Sequence, residues 1–258
     1  MKTSEIILHI ANWLKEYSNQ SNTNGFVIGI SGGIDSAVTS TLCALTGKDV
    51  WCIKMPIHQH KTEFNRSHEH CEWLNEKFPN VTICTAELSD AFDCLSKQIP
   101  TELQNDLTMA NTRARLRMTT LYTYAGAKRL LVAGTGNKVE DFGVGFFTKY
   151  GDGGVDLSPI ADLMKSEVFA LANELHIAGS IQNAAPTDGL WADARSDEDQ
   201  LGASYDELEW AMDAYTMSTE NRFKERQKEV FDIFTRLHRA NRHKMDPIPV
   251  CLIPDNLK

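Results

Sequence analysis

The sequence predicts an α/β protein, a doubly wound and mainly parallel sheet with helices on both faces. Short unbroken apolar runs carry this reading: "FVIGI" (26–30), "DVWCIKMPI" (49–57) and "RLLVAGT" (129–135) recur between longer stretches of helical periodicity. Runs that are apolar on both faces belong to parallel strands covered from both sides. No internal repeat, low-complexity tract or clear linker interrupts the 258 residues. One large core can still serve that length, so a single domain over 1–258 is expected.

The elements follow in order. "MKTSEIILHIANWLKEY" sets Ile6, Ile10, Trp13, Leu14 and Tyr17 at helical spacing and reads as an amphipathic packing helix. Glu5, His9 and Asn12 interrupt it, so it is no secretion signal. After the first strand come a helix over about 34–45, the second strand, a helix over about 67–78, the short strand "NVTICT" (80–85) and a helical stretch over about 88–97. A long helix over about 102–127 carries Leu103, Leu107, Ala110, Ala114, Met118, Leu121 and Ala125 as its apolar stripe and leads into the fourth strand, which ends at Thr135. Residues 134–156 are too glycine-rich for a packed helix and too aromatic for a linker. Helix resumes near Met164, a polar acidic stretch over 185–210 reads as a mobile loop before a helix, and the last helix spans about 220–239.

Composition excludes several functions. A hydrophobic content of 42% and a charged content of 24% are ordinary for a globular protein. No apolar run reaches the roughly 18 residues needed to cross a bilayer. A net charge of -9 argues against a nucleic-acid scaffold held by phosphate contacts. The six cysteines show no paired short spacing, which predicts buried reduced thiols in a cytoplasmic protein. His58, His60, His68 and His70 form two His-x-His pairs, but that spacing does not share a helix face, and solvated histidines are favoured over zinc.

The chemistry concentrates where the first strand meets its helix. Residues Gly29, Ile30, Ser31, Gly32, Gly33, Ile34, Asp35 and Ser36 form a glycine-rich turn that exposes backbone N–H groups at a helix N-terminus, a ready phosphate site. Asp35 in the first helical turn either favours the positive helix end or holds a divalent metal. The turn is neither Walker A nor the dinucleotide GxGxxG pattern. "SGGIDS" (31–36) resembles the pyrophosphate-binding loop of the N-type ATP pyrophosphatases, which have an adenine nucleotide alpha hydrolase-like, Rossmann-like sheet and cleave ATP between its α and β phosphates to adenylate a substrate.

Three further stretches narrow the resemblance. "NTRARLRM" (111–118), "GTGNKVEDFGVGFFTKYGDGGVDLSPIADLMKSEV" (134–168) and "LGASYDELE" (201–209) are similar, in order and approximate spacing, to ammonia-dependent NAD synthetases. The resemblance implies ATP-dependent amidation of deamido-NAD by ammonia, giving NAD, AMP and pyrophosphate through an acyl adenylate. It assigns ATP to the loop, Thr135, Lys165 and Thr187, and deamido-NAD to Arg115, Phe146, Lys149, Asp156, His243 and Lys244. It makes Asp35 and Glu140 the ligands of a magnesium ion, and Asp35 and Lys165 catalytic. Asp152 is a candidate for positioning or deprotonating ammonia. Taken alone, Glu140 reads as a surface acid and "RHKM" (242–245) as a basic helix end.

The resemblance also implies a homodimer that completes the deamido-NAD site across its interface. The length leaves no room for a glutaminase domain beside this core, so free ammonia, or ammonia from another protein, is the expected nitrogen source. A GMP synthetase ATPase domain or a tRNA thiolase would lack "GFFTKYGDGG" (145–154), and a nucleotide-binding sensor would not need the second acid, Lys165 or Arg115.

Overall fold

The computed structural model describes residues 1–58, 61–184, 196–217 and 223–258, with the backbone alone for 61–63. Four strands, β1 (Gly25–Gly29), β2 (Asp49–Lys54), β3 (Val81–Thr85) and β4 (Leu130–Val132), form a parallel sheet in the order β3-β2-β1-β4. The α-helices among the described residues are α1 (Thr3–Gln20), α2 (Ile34–Leu45), α3 (Lys61–Lys77), α4 (Ser89–Ser96), α5 (Asp106–Lys128), α6 (Lys165–Glu174), α7 (Gly179–Gln182), α8 (Asp197–Leu201), α9 (Tyr205–Thr216) and α10 (Glu225–Met245).

Alternate residues of β1 point to opposite faces, and both faces are buried. Phe26 and Ile28 pack with Leu14 of α1, Leu42 of α2, Leu74 of α3 and Leu171 of α6. Val27 joins Ile53, Val132 and Ala125 of α5 on the other side. The chain steps outward from β1 through β2 to β3, then crosses back to lay β4 on the free side of β1. The strand order therefore reverses between β1 and β4, whose carboxyl ends are where open α/β sheets bind ligands. A separate core of Val139, Val144, Leu201, Leu208, Val230 and Phe234 ties α9 and α10 to the segment after β4.

Several elements differ from expectation. On α1 the buried apolar residues are Ile7, Ile10, Ala11 and Leu14; Trp13 and Tyr17 face outward against each other, with ring centroids 5.7 Å apart. The stripe is turned by about one position and is the one that meets α2 and α6. Leu103 and Leu107 lie off the stripe of α5, 55% and 59% exposed. The Asn105 side chain caps the helix by accepting from the N–H of Thr108 at 2.9 Å, so α5 starts at Asp106 and Leu103 stays in a 3₁₀ turn. β4 stops at Val132, since the next ladder contact is an isolated bridge from Ala133 to Leu157. Helix α10 begins at Glu225 and runs to Met245, which puts His243 and Lys244 in its last turn.

The histidines separate. His70 is a core residue rather than a solvated one: it is 1% exposed, 2.9 Å from the Ser40 hydroxyl and stacked on Trp73 at 5.6 Å. Burial lowers its pKa to about 4, so it stays neutral. His58 pairs with Asp93 at 2.8 Å, and His68 lies between Lys54 and Glu72; His60 is outside the described residues. Among the described residues, no three His, Cys, Asp or Glu side chains form a metal cluster. All six cysteines are free thiols, with Cys43, Cys52 and Cys71 buried and Cys94 and Cys251 exposed. No described helix is long and apolar enough to cross a membrane.

Candidate active site

The seam after β1 is held open by its own side chains. Gly32 sits at φ +88°, a conformation that L side chains avoid. Ser31 Oγ accepts the N–H of Gly33 at 3.1 Å, and Ser36 Oγ donates to the Gly33 carbonyl at 2.9 Å. The Ser36 proton is thus committed, so Ser31 is the donor in the 3.0 Å contact between the two hydroxyls. Arg66 of α3 reaches over and donates to the Gly32 carbonyl at 3.3 Å. Asp35 stands in the first turn of α2, at the positive end of the helix.

After β4 the chain runs into a π-helical turn, Val139–Val144, which presents Glu140. Asn137, fully buried, positions it: its Oδ1 accepts from the N–H groups of Val139 and Glu140, both at 3.1 Å. The amide of the same side chain donates to Asp35 Oδ1 at 3.3 Å, so one residue links the two acids. At the far end of the turn, His238 and Asn241 of α10 bind the carbonyls of Gly143 and Val144 at 2.7 and 2.8 Å. A carbonyl only accepts, so His238 carries its proton on Nδ1. Gly145 closes the turn at φ +65°, where a Cβ would lie 2.5 Å from Asn241 Cβ.

Lys165 joins the two carboxylates. It occupies the first turn of α6, where the helix dipole disfavours a cation. Its ammonium instead donates to Asp35 Oδ2 at 2.6 Å and Glu140 Oε1 at 3.1 Å, with its side chain only 3% exposed. Burial works against that charge, but Asp35 and Glu140 outweigh it and hold the ammonium above its ordinary range. Tyr205, at the start of α9, donates to Glu140 Oε1 at 2.5 Å and lies 3.3 Å from Asp197 Oδ2. Burial, then Glu140 and Asp197, push the phenol far up, so it remains a protonated donor.

Asp35, Glu140, Lys165 and Asp197 line a cavity of about 260 Å³ at the carboxyl ends of β1 and β4. Gly29, Ile30, Ser31, Gly33, Ile34, Asp35 and Ser36 form one wall; Thr135, Glu140, Phe146, Asp152 and Lys165 contribute to the rest. Gly32 lies behind this wall, facing Arg66. Asp152 keeps an accessible edge while its Oδ1 accepts the N–H of Thr148 at 3.0 Å. Crowding by the surrounding loop raises its carboxyl from the ordinary value, with the Thr148 contacts opposing.

Three cations expected at the dinucleotide, with His243 beside them, gather outside the lining of that cavity. Arg115 donates to the Lys149 carbonyl at 3.3 Å, Lys149 to the His243 carbonyl at 2.6 Å and Lys244 to the Phe147 carbonyl at 2.7 Å. Lys244 also lies 4.9 Å from the centre of the Phe147 ring. Asp156 is anchored elsewhere: it accepts from the Tyr122 hydroxyl at 2.9 Å and the Val132 N–H at 2.8 Å, closing the end of β4. Thr187 lies outside the described residues.

The sequence profile of NAD synthase matches residues 6–248. The chain belongs to the NAD synthase family. A curated relative, the NH(3)-dependent NAD(+) synthetase of Mesoplasma florum, is 38% identical over 247 residues, covering 95% of each chain. Among solved structures, an NMN synthetase from Francisella tularensis superposes with a TM-score of 0.83 at 31% identity, covering 99% of each chain. An NH3-dependent NAD synthetase from Campylobacter jejuni, in complex with nitrate, gives 0.80 at 26% identity over 98% of this chain and 100% of that one. Members of the NAD synthase family are ATP-dependent ligases that amidate deamido-NAD to NAD with release of AMP and pyrophosphate.

Against this NAD synthase frame, sequence reasoning missed Asn137, Tyr205, Asp197 and Arg66. Tyr205 lies within "LGASYDELE", and its neighbours Ser204 and Glu207 form a capping box that marks the start of α9. That signal fixes a helix boundary; it says nothing of a phenol reaching a carboxylate 65 residues away. Lys165 was legible only through the resemblance; its position against the dipole of its own helix shows in the structure.

Proposed function

We propose that this chain amidates deamido-NAD with ammonia, and that its adenylating centre is the Asp35–Lys165–Glu140 group beside the 31–36 loop. The observation that supports this most is the single ammonium in contact with both acids, at 2.6 and 3.1 Å, at the point where the strand order reverses.

The reaction runs in two displacements. A carboxylate oxygen of the nicotinate ring attacks the α-phosphorus of ATP, and the P–O bond to pyrophosphate breaks. Ammonia then attacks the acyl carbon, the C–O bond to AMP breaks, and one proton is released. Adenylation is needed because a free carboxylate has no adequate leaving group. The loop N–H groups and the Ser31 and Ser36 hydroxyls hold the departing pyrophosphate. Lys165 neutralises charge building on the phosphates. Thr135 and Thr187 contact the nucleotide. Phe146 lies against the nicotinate ring, while Arg115, Lys149, His243 and Lys244 hold the phosphates of the dinucleotide, and Asp156 fixes the edge of that site. Asp152 orients ammonia and takes the proton that the amide sheds, its carboxylate held toward the cavity by the Thr148 N–H at 3.0 Å.

Asp35 and Glu140 fit a magnesium ion: both are hard oxygen donors, and the Lys165 ammonium already stands between them as a cation does. Bound there, magnesium would neutralise the triphosphate. A homodimer fits the apolar C-terminal segment, where Ile248, Val250, Leu252 and Leu257 are 67% to 84% exposed, and the exposed Leu103 and Leu107 near α5. The chain acts as one domain in the cytoplasm, on free ammonia or on ammonia delivered by another protein.

The test is direct: incubate the protein with ATP, magnesium, ammonium and deamido-NAD and quantify pyrophosphate, AMP and NAD. Stoichiometric formation of all three is expected. ATP binding without turnover, or turnover only with xanthosine monophosphate, would overturn the reading. The Francisella neighbour makes nicotinate mononucleotide the second substrate to try; a preference for it would keep the chemistry and change the substrate.

A further inference from the structure

We propose that Tyr205 is a positioning residue for Glu140, pinning one carboxylate oxygen so that the other is presented to the divalent ion. This rests on the reading above that Glu140 is a metal ligand.

Both polar contacts that the described residues make to the Glu140 carboxylate fall on the same oxygen, Oε1: the Lys165 ammonium at 3.1 Å and the Tyr205 hydroxyl at 2.5 Å. A carboxylate held at one oxygen by a rigid donor cannot rotate freely, and Oε2 is left without a protein donor among the described residues. The phenol is well suited to the task. Its ring is 5% exposed and packed with Val139, Val144 and Leu208, so its hydroxyl has little freedom to follow Glu140 elsewhere. The ring also lies under Lys165, whose Nζ is 4.7 Å from its centroid, so one side chain touches both Glu140 and the ammonium that shares its Oε1.

The geometry fixes the direction of the bond as well. A phenol has one proton, and two carboxylates lie near it. The 2.5 Å contact to Glu140 takes that proton, and Asp197 at 3.3 Å is the weaker neighbour. Asp197 opens α8 while Tyr205 opens α9, so the phenol also spans the short connection between these helices at the cavity wall. Backbone contacts finish the frame: the Tyr205 N–H donates to Glu198 Oε1 at 2.9 Å, which fixes where the ring leaves the helix. A phenylalanine would fill the same space and pack the same core, but could not hold Oε1.

The test compares Tyr205→Phe and Glu140→Gln with the wild type by titrating manganese against each protein with a non-hydrolysable ATP analogue, followed by electron paramagnetic resonance. Turnover is measured across magnesium concentrations in parallel. Tyr205→Phe should melt close to the wild type and raise half-saturating manganese about tenfold, the scale of one hydrogen bond to a charged group. Its kcat should recover at high magnesium, whereas that of Glu140→Gln should not. Wild-type manganese affinity in Tyr205→Phe together with a weakened Glu140→Gln would overturn the positioning role alone. Wild-type affinity in both would remove the metal reading on which the proposal rests, and the proposal with it. Should Tyr205→Phe not accumulate as folded protein, ultraviolet difference spectra decide: manganese with the ATP analogue should perturb a tyrosine band in the wild type and not in Glu140→Gln. Equal spectra in the two would overturn the proposal.

Discussion

Lys165 at the cavity and the cations outside it are held in different ways. Lys165 is buried and pairs side chain to side chain with Asp35 and Glu140. Arg115, Lys149 and Lys244 sit nearer the surface and donate to backbone carbonyls of Lys149, His243 and Phe147. A carbonyl orients a cation without cancelling its charge, whereas two carboxylates more than cancel it. The inner group is therefore a preorganised, net acidic centre of the kind that suits a divalent ion. The outer group keeps its positive charge. On the function proposed above, geometry is locked where bonds would break, and charge is kept available where the dinucleotide would dock.

The largest effect is expected from the inner group. Lys165→Met should lower turnover at least about 10²-fold and cost on the order of 3 kcal/mol of stability, because two part-buried carboxylates lose their counter-ion. Magnesium should restore part of the melting temperature and none of the rate. A fully active Lys165→Met would dissolve the distinction between the groups.

In the outer group, Lys149→Ala and Arg115→Ala should each raise KM for deamido-NAD about tenfold, with KM for ATP and the melting temperature nearly unchanged, since exposed ion contacts contribute little to folding. Steady-state kinetics with each substrate varied separately would show it. Raising salt toward 0.5 M should weaken dinucleotide binding several-fold in the wild type and much less in Lys149→Ala. Equal salt dependence would mean the outer cations do not dock the substrate.

The smallest effect lies in the core and calibrates the others. Folded His70 titrates at about 4 and the unfolded side chain at 6.5. The unfolded state thus binds the proton first, so this contribution is complete above pH 6.5 and is lost as pH falls toward 4. His70→Gln should flatten the fall in stability across that window by about 2–3 kcal/mol, read from denaturant melts at several pH values. An unchanged slope would mean that His70 takes up its proton as readily in the fold as out of it.

How much of this was legible follows the same division. The strands and the 31–36 loop were plain because local pattern dictates them: continuous apolar runs, then glycines and serines ahead of a helix. Glu140 looked like a surface acid because its burial depends on a π turn pinned by His238 and Asn241, about 100 residues away. Asn137 was overlooked for a related reason, since it binds two neighbours in sequence and one acid that follows the adjacent strand. On α1, periodicity gave the helix but placed Trp13 and Tyr17 inward; which of two adjacent stripes is buried is set by the packing partner. Solvation of His70 was misjudged because a single polar residue on an otherwise apolar face shows its partner, Ser40, only in three dimensions.

If the Asp35–Lys165–Glu140 centre drives adenylation, release of pyrophosphate depends on it. The most direct test is a single turnover with ATP, magnesium and deamido-NAD, without ammonia, in the wild type and in folded Asp35→Ala. The account predicts one equivalent of pyrophosphate per active site from the wild type and none from the variant. A full burst from Asp35→Ala, or orthophosphate in place of pyrophosphate, would contradict it.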